Sequence, residues 1–268
     1  MATVRAFPRA LFVSHGGGPL PLLNDPAHQQ MVSCLRSLAA SLPRPSAIVV
    51  ISAHWEAEVP TITSGATPSI IYDYYGFPPE SYEIKYPCRG EPTLANDTFQ
   101  RFERAGIKSR LDESRGFDHG LFVPLSLMYP NADIPCIQVS LVNTLDPLAH
   151  IEIGQALSGL SQQNVLVMGS GFTFHNLRQF FLPVTAAIEQ QNVAFEAWLQ
   201  QVCGSAALTE SERREKLIHW NTAPAARFCH PREEHLLPLH VCYGAAQTPY
   251  SEHFEVSILQ KKSSMIVW

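Results

Sequence analysis

Paired cysteines, basic runs and long apolar stretches are all missing from this 268-residue chain. Its six cysteines, Cys34, Cys88, Cys136, Cys203, Cys229 and Cys242, include no C-x-x-C pair. Their scatter excludes a zinc knuckle or a disulfide framework, and it predicts reduced thiols, mostly buried, in a cytoplasmic protein. Only 16% of residues are charged, and the formal net charge is −5. Without a basic patch there is no electrostatic footprint for nucleic acid or an anionic membrane. The opening residues "MATVRAFPRALFV" hold too short an apolar stretch for a secretory signal and no small-residue cleavage site after it. No segment reaches the roughly 20 apolar residues of a bilayer-spanning helix. Internal repeats and coiled-coil heptads are absent too, so nothing in the sequence specifies an oligomeric state.

What is present is a globular composition, 46% hydrophobic, expected to form one domain over residues 1–268. Apolar runs at 11–13, 47–53 ("AIVVISA"), 134–141 ("IPCIQVSL") and 164–168 ("NVLVM") read as buried strands. Helical patterns lie between them. Residues 28–42 space Met31, Leu35, Leu38 and Leu42 by three or four, and 92–105 opens on a first-turn proline. Residues 146–160 begin with a capping "DP", and 193–202 repeats Phe195, Trp198, Leu199 and Val202. The alternation predicts a three-layer α/β/α sandwich around a central, mostly parallel sheet, with two short strands in the tail extending its edge. The segment "SIIYDYYGFPPESYEIKYPCRGEP" fits neither period and is too aromatic for a linker; it reads as a lid or pocket wall.

Eleven histidines occur, and three of them share a placement. His15 follows the first strand in "SHGGGP", His54 follows the second in "ISAHWE", and His175 closes "NVLVMGSGFTFH". Ligands of α/β sheets bind outside the carboxyl ends of the strands, so three imidazoles there point to a shared metal site. The glycine turn lacks the lysine and hydroxyl of a phosphate loop. His119, in "RGFDHG", precedes a predicted helix that Asp118 would cap; His235, in "EEHLLPLH", lies near the start of a late helix. His240 would face about 140° away from His235 on that helix. It is read with His28, His150, His219, His230 and His253 as surface or structural. Asn176 could orient His175 but is assigned to a helix cap, Arg178 could face a substrate carboxylate but is assigned to a helix surface, and Trp55 and Tyr74 could pack on an aromatic ring but are assigned to core packing.

Taken in order, "SHGGGP", "ISAHWE", the aromatic loop, "RGFDHGLFVPLSLMYPNADIPCIQVSL", "GSGFTFHNLR" and "EEHLLPLHVCYGAA" resemble the class III extradiol ring-cleavage dioxygenases, in the branch containing DOPA 4,5-dioxygenase. The resemblance spans nearly the whole chain. It implies Fe(II) in the active enzyme, with zinc a plausible ion after purification, held by His15, His54 and His235. It implies His175 as acid/base beside the metal and a possible fourth ligand, and His119 as a wall of the substrate pocket. The implied partners are a small catechol and O2, and the implied product is a semialdehyde. Two departures stand out. Protocatechuate-cleaving relatives carry glutamate as the third ligand, whereas this chain has histidine; Glu234, one residue earlier, is set aside because on a helix it would project about 100° away. The opening turn reads "HGGGP" where many relatives have serine or threonine after the first glycine.

Two other readings use the same residues. A zinc hydrolase would activate water with a carboxylate, for which Glu56 is the candidate, although the H-E-x-x-H helix is absent. A non-catalytic binding protein of this fold would be marked by loss of ligand histidines, and none of the five is missing.

Overall fold

The computed structural model describes residues 6–180 and 182–268. In chain order, β1 (Leu11–Ser14) leads through the glycine turn to α1 (Gln29–Ser41), β2 (Ala47–Ala57) and the short β3 (Thr61–Thr63). The aromatic loop follows, then α2 (Pro92–Arg104), β4 (Arg110–Asp112) and α3 (His119–Met128). The second half runs β5 (Cys136–Val142), α4 (Pro147–Leu157), β6 (Val165–Gly171), one-turn α5 (Leu177–Phe180), α6 (Ala186–Gly204) and α7 (Glu210–Ile218). One-turn α8 (Ala226–Cys229), α9 (Leu237–Ala246), β7 (Glu252–Ile258) and β8 (Lys261–Val267) complete it.

The eight strands described form one sheet in the order β4-β3-β5-β2-β6-β1-β8-β7. Its centre, β5-β2-β6-β1, is parallel throughout; β8 and β7 add to it antiparallel, as the tail predicted. Each central strand is apolar on both faces because helices cover both. Leu11, Val13, Ile48, Val50, Leu166 and Met168 face the layer holding α1 and α3, whereas Phe12, Val49, Ile51 and Val167 face the layer holding α2, α4 and α9. The period of two along a strand thus splits one apolar run between two cores.

Local chemistry sets several boundaries. Asp146 accepts from Leu148 N at 3.0 Å ahead of Pro147, and Asp118 accepts from Gly120 N at 3.0 Å, so both expected caps are present. Two elements outrun the expectation. Helix α6 begins at Ala186, where the Thr185 hydroxyl caps it by accepting from Ile188 N at 3.3 Å. Strand β2 does not stop at Ala53 but continues to Ala57 through a register shift between Ile51 and Glu56. The six cysteines are free, with all but Cys34 buried. Among the described residues no helix is long and apolar enough to cross a membrane.

Candidate metal centre

Three adjacent parallel strands, β2, β6 and β1, deliver the first pieces of the site at their carboxyl ends. His15 leaves β1 directly, its N–H donating to Gly171 O at 2.9 Å. The next turn needs glycine: Gly16 has φ of 81°, and a Cβ there would lie 2.7 Å from the His28 ring. His28 supports this turn from below, accepting from Gly17 N at 3.0 Å. That N–H is therefore unavailable to a phosphate. His54 sits within the shifted part of β2, where its N–H donates to Ser52 Oγ at 3.1 Å. The irregular pairing turns this side chain toward β1.

His235 arrives from the other side. It precedes α9, and its carbonyl accepts from Phe172 N at 3.0 Å just past the end of β6. So close an approach requires Gly171, where a Cβ would stand 2.1 Å from His235 O. His240, on α9 proper, points elsewhere and lies 2.9 Å from Leu217 O.

These segments bring the imidazoles together. His54 Nε2 lies 2.9 Å from His15 Nε2 and 3.3 Å from His235 Nε2. His235 Nδ1 faces Glu234 Oε1 at 2.9 Å, and a carboxylate only accepts. The proton therefore sits on Nδ1, and Nε2 presents a lone pair to its neighbours. His15 Nδ1 lies 3.0 Å from Ser170 Oγ. Burial above all, and then the neighbouring imidazoles, hold His15, His54 and His235 well below the ordinary histidine pKa. Where two Nε2 lone pairs converge in this way the rings repel unless a proton or a metal ion lies between them. Nitrogens bound to one ion at about 2.1 Å in neighbouring positions stand about 3 Å apart, which fits the separations here. Neutral imidazole suits iron, zinc and other borderline transition ions.

His119 and His175 flank this core. His119 opens α3 and leans over His54, ring centroids 3.8 Å apart; its nitrogen groups with those of His15 and His54 within 4.8 Å. His175 stacks on His235 with centroids 3.4 Å apart and planes 17° from parallel. All five expected histidines thus share one site.

Two carboxylates there were not expected. Glu234 Oε1 lies 2.8 Å from His175 Nδ1 as well as 2.9 Å from His235 Nδ1. The helical angle that set Glu234 aside does not apply, because residues 234 and 235 lie in a turn before α9. Burial works against ionisation of Glu234, yet the hydrogen bond and charge of His175, with Arg232, hold its pKa below the usual carboxylate value. Asp73 comes from the aromatic loop. Its Oδ1 accepts from His119 N at 2.9 Å and lies 2.9 Å from His119 Nδ1. An acidic residue among the tyrosines of "YDYYGF" was the one signal for it. Tyr74 and Phe77 pack edge to face beside it, with Tyr74 5.6 Å from the His119 ring, so the loop walls the site. Asn176 caps α5, accepting from Arg178 N at 3.2 Å, and Trp55 lies beneath Arg115 with 4.3 Å between them. Glu56 is bound by Arg232 at 2.6 and 2.7 Å, which removes the carboxylate a hydrolase would need.

A parallel α/β sheet ending in a buried histidine cluster with carboxylate partners offers the donor set of a metal-dependent enzyme. Residues 10–264 match the family model described as the catalytic LigB subunit of aromatic ring-opening dioxygenase. The chain belongs to this LigB family and is an extradiol ring-cleaving dioxygenase, an oxidoreductase. It is 41% identical to dioxygenase tasH of Hapsidospora irregularis, over 87% of this chain and 76% of that one. It is 38% identical to the 4,5-DOPA dioxygenase extradiol of Beta vulgaris, over 88% of this chain and 85% of the relative. The protein of that name from Escherichia coli is 34% identical over 88% and 84%. A crystal structure of an uncharacterised Escherichia coli protein superimposes with a TM-score of 0.74 at 28% identity, covering 96% of this chain and 98% of that one.

Proposed function

We propose that His15, His54 and His235 hold Fe(II), and that the site opens the ring of a DOPA-like catechol with O2 beside its two hydroxyls, yielding a semialdehyde. The observation that carries this reading is the convergence of three Nε2 atoms at 2.9 and 3.3 Å, with the proton of His235 committed to Glu234. Held by these three histidines, Fe(II) would supply the redox chemistry that activates dioxygen toward the catechol.

His175 takes a phenolic proton. Glu234 occupies its Nδ1 side, so Nε2 is the basic atom, and the stack on His235 fixes the ring's direction. The same nitrogen returns the proton to the leaving oxygen. His119, gripped at its backbone by Asp73, presents its ring from the loop side and lines the substrate pocket. Tyr74 and Phe77 exclude water and pack on an aromatic ring. We further read residues 1–268 as a single catalytic domain, since one sheet and its two flanking cores carry every part of the site. Buried free thiols fit a reducing compartment such as the cytoplasm.

The test is reconstitution of stripped protein under argon with Fe(II) or Zn(II), followed by oxygen uptake and visible spectra with L-DOPA and other catechols. The expected result is iron-dependent uptake with a yellow product and none with zinc. Firm metal binding with no uptake for any catechol would refute the substrate assignment.

A further inference from the structure

Beyond His175 the site continues as a cleft of about 590 Å3, between the segment after β6 and the segments around α8 and before α9. Its walls are tied together: His175 N donates to Cys229 O at 2.9 Å, and Asn176 Nδ2 donates to Phe228 O at 2.7 Å. Three arginines, Arg178, Arg227 and Arg232, line it together with His175 and Glu234.

Two of the three are engaged. Arg227 pairs with Glu233 at 2.6 Å and lies over the Trp220 ring at 4.6 Å. Arg232 spans both oxygens of Glu56 and stands 3.4 Å from Glu234. Arg178 is different. Its main chain is fixed by the cap at Asn176 while its side chain is exposed at the cleft, and among the described residues no carboxylate is found in an ion pair with its guanidinium. The acids of the cleft are consumed: Glu56 and Glu233 by arginine, Glu234 by the two imidazoles. Among the described residues lining the cleft, a cation without an ion-pair partner is left three residues from the base, and each carboxylate is already engaged.

We propose that Arg178 is a specificity-determining residue that receives a carboxylate on the substituent of the aromatic substrate. The inference rests on the placement of the substrate beside His175 given above. A guanidinium fork matches a carboxylate with two parallel N–H donors. A ring held at the imidazole cluster points its side chain outward, along the cleft that Arg178 lines. Catechols with neutral substituents gain nothing from this residue.

The test compares 3-(3,4-dihydroxyphenyl)propanoate with 4-ethylcatechol, nearly matched in ring and chain but differing in charge. Calorimetric binding to the Zn(II)-loaded wild type, Arg178→Gln and Arg178→Lys separates recognition from turnover. The wild type is expected to bind the carboxylate about tenfold more tightly than the neutral catechol. Arg178→Gln should lose that preference without changing affinity for 4-ethylcatechol, and Arg178→Lys should keep part of it. With Fe(II), the same loss should appear in KM rather than kcat. An equal preference in wild type and Arg178→Gln, or no binding of either catechol, overturns the proposal. Arginine-dependent binding with no turnover by the Fe(II) enzyme would instead refute ring cleavage of these catechols and leave the role of Arg178 standing.

Discussion

A single oxygen, Glu234 Oε1, faces the Nδ1 atoms of His175 and His235 at 2.8 and 2.9 Å, so one side chain sets the tautomer of both rings. Glu234→Gln keeps the volume and removes the charge. It is expected to lower metal affinity or turnover by about 10- to 100-fold, measured by metal titration and by oxygen uptake. Wild-type values for both would show that the carboxylate does not orient the rings. The histidines themselves divide into two groups. His54→Ala should abolish stoichiometric metal binding, because His54 Nε2 contacts both other Nε2 atoms. His175→Ala should retain the metal and slow turnover by about 100-fold or more, as loss of a general base does. Loss of metal from His175→Ala would move that residue into the ligand set. At this scale His15, His54 and His175 were legible because they follow strands, whereas His119 and His235 were marked only by the family resemblance. Glu234 and Asp73 were not legible. Their roles depend on a turn where a helix was expected and on the path of an irregular loop.

Elements place these side chains, and the junction of β6 with the segment before α9 is the tightest. A methyl at Gly171 would lie 2.1 Å from His235 O, with no flexible side chain to give way. Gly171→Ala is expected to cost about 2 kcal/mol of stability through overpacking and to weaken metal binding by shifting His235. Thermal denaturation and metal titration check the two effects, and a variant with unchanged metal affinity would show that the backbone contact does not position the ligand. The central strands and the α1, α2 and α4 helices were readable from apolar spacing, capping aspartates and first-turn prolines. The continuation of β2 past Ala53 was not. Register shifts arise from pairing with β5, which lies some 80 residues further along the chain.

The whole molecule carries a buried charge problem remote from the metal. Glu196, on α6, is 1% exposed and accepts from Ser264 Oγ at 2.5 Å; burial pushes its pKa from 4.5 up to about 7 despite that bond. The folded protein therefore binds this proton more tightly than the unfolded chain does. The stability it contributes is fully present below pH 4.5 and is lost as pH rises through about 7, a change of about 3 kcal/mol. Glu196→Gln cannot ionise, so its stability relative to wild type should improve between pH 5 and pH 8 by about 2 to 3 kcal/mol in urea denaturation. A difference independent of pH would rule out a raised pKa. The sequence by itself determined the α/β class, the parallel core and the strand-end placement of His15, His54 and His175, because periodicity and strand-end placement are local properties of the chain. Tertiary structure alone decided that His235 meets His15 and His54, that Glu234 serves two rings, and that Arg178 has no carboxylate partner among the described residues. Each of these depends on how segments far apart in the chain are arranged, which only the assembled sheet and its packed loops determine.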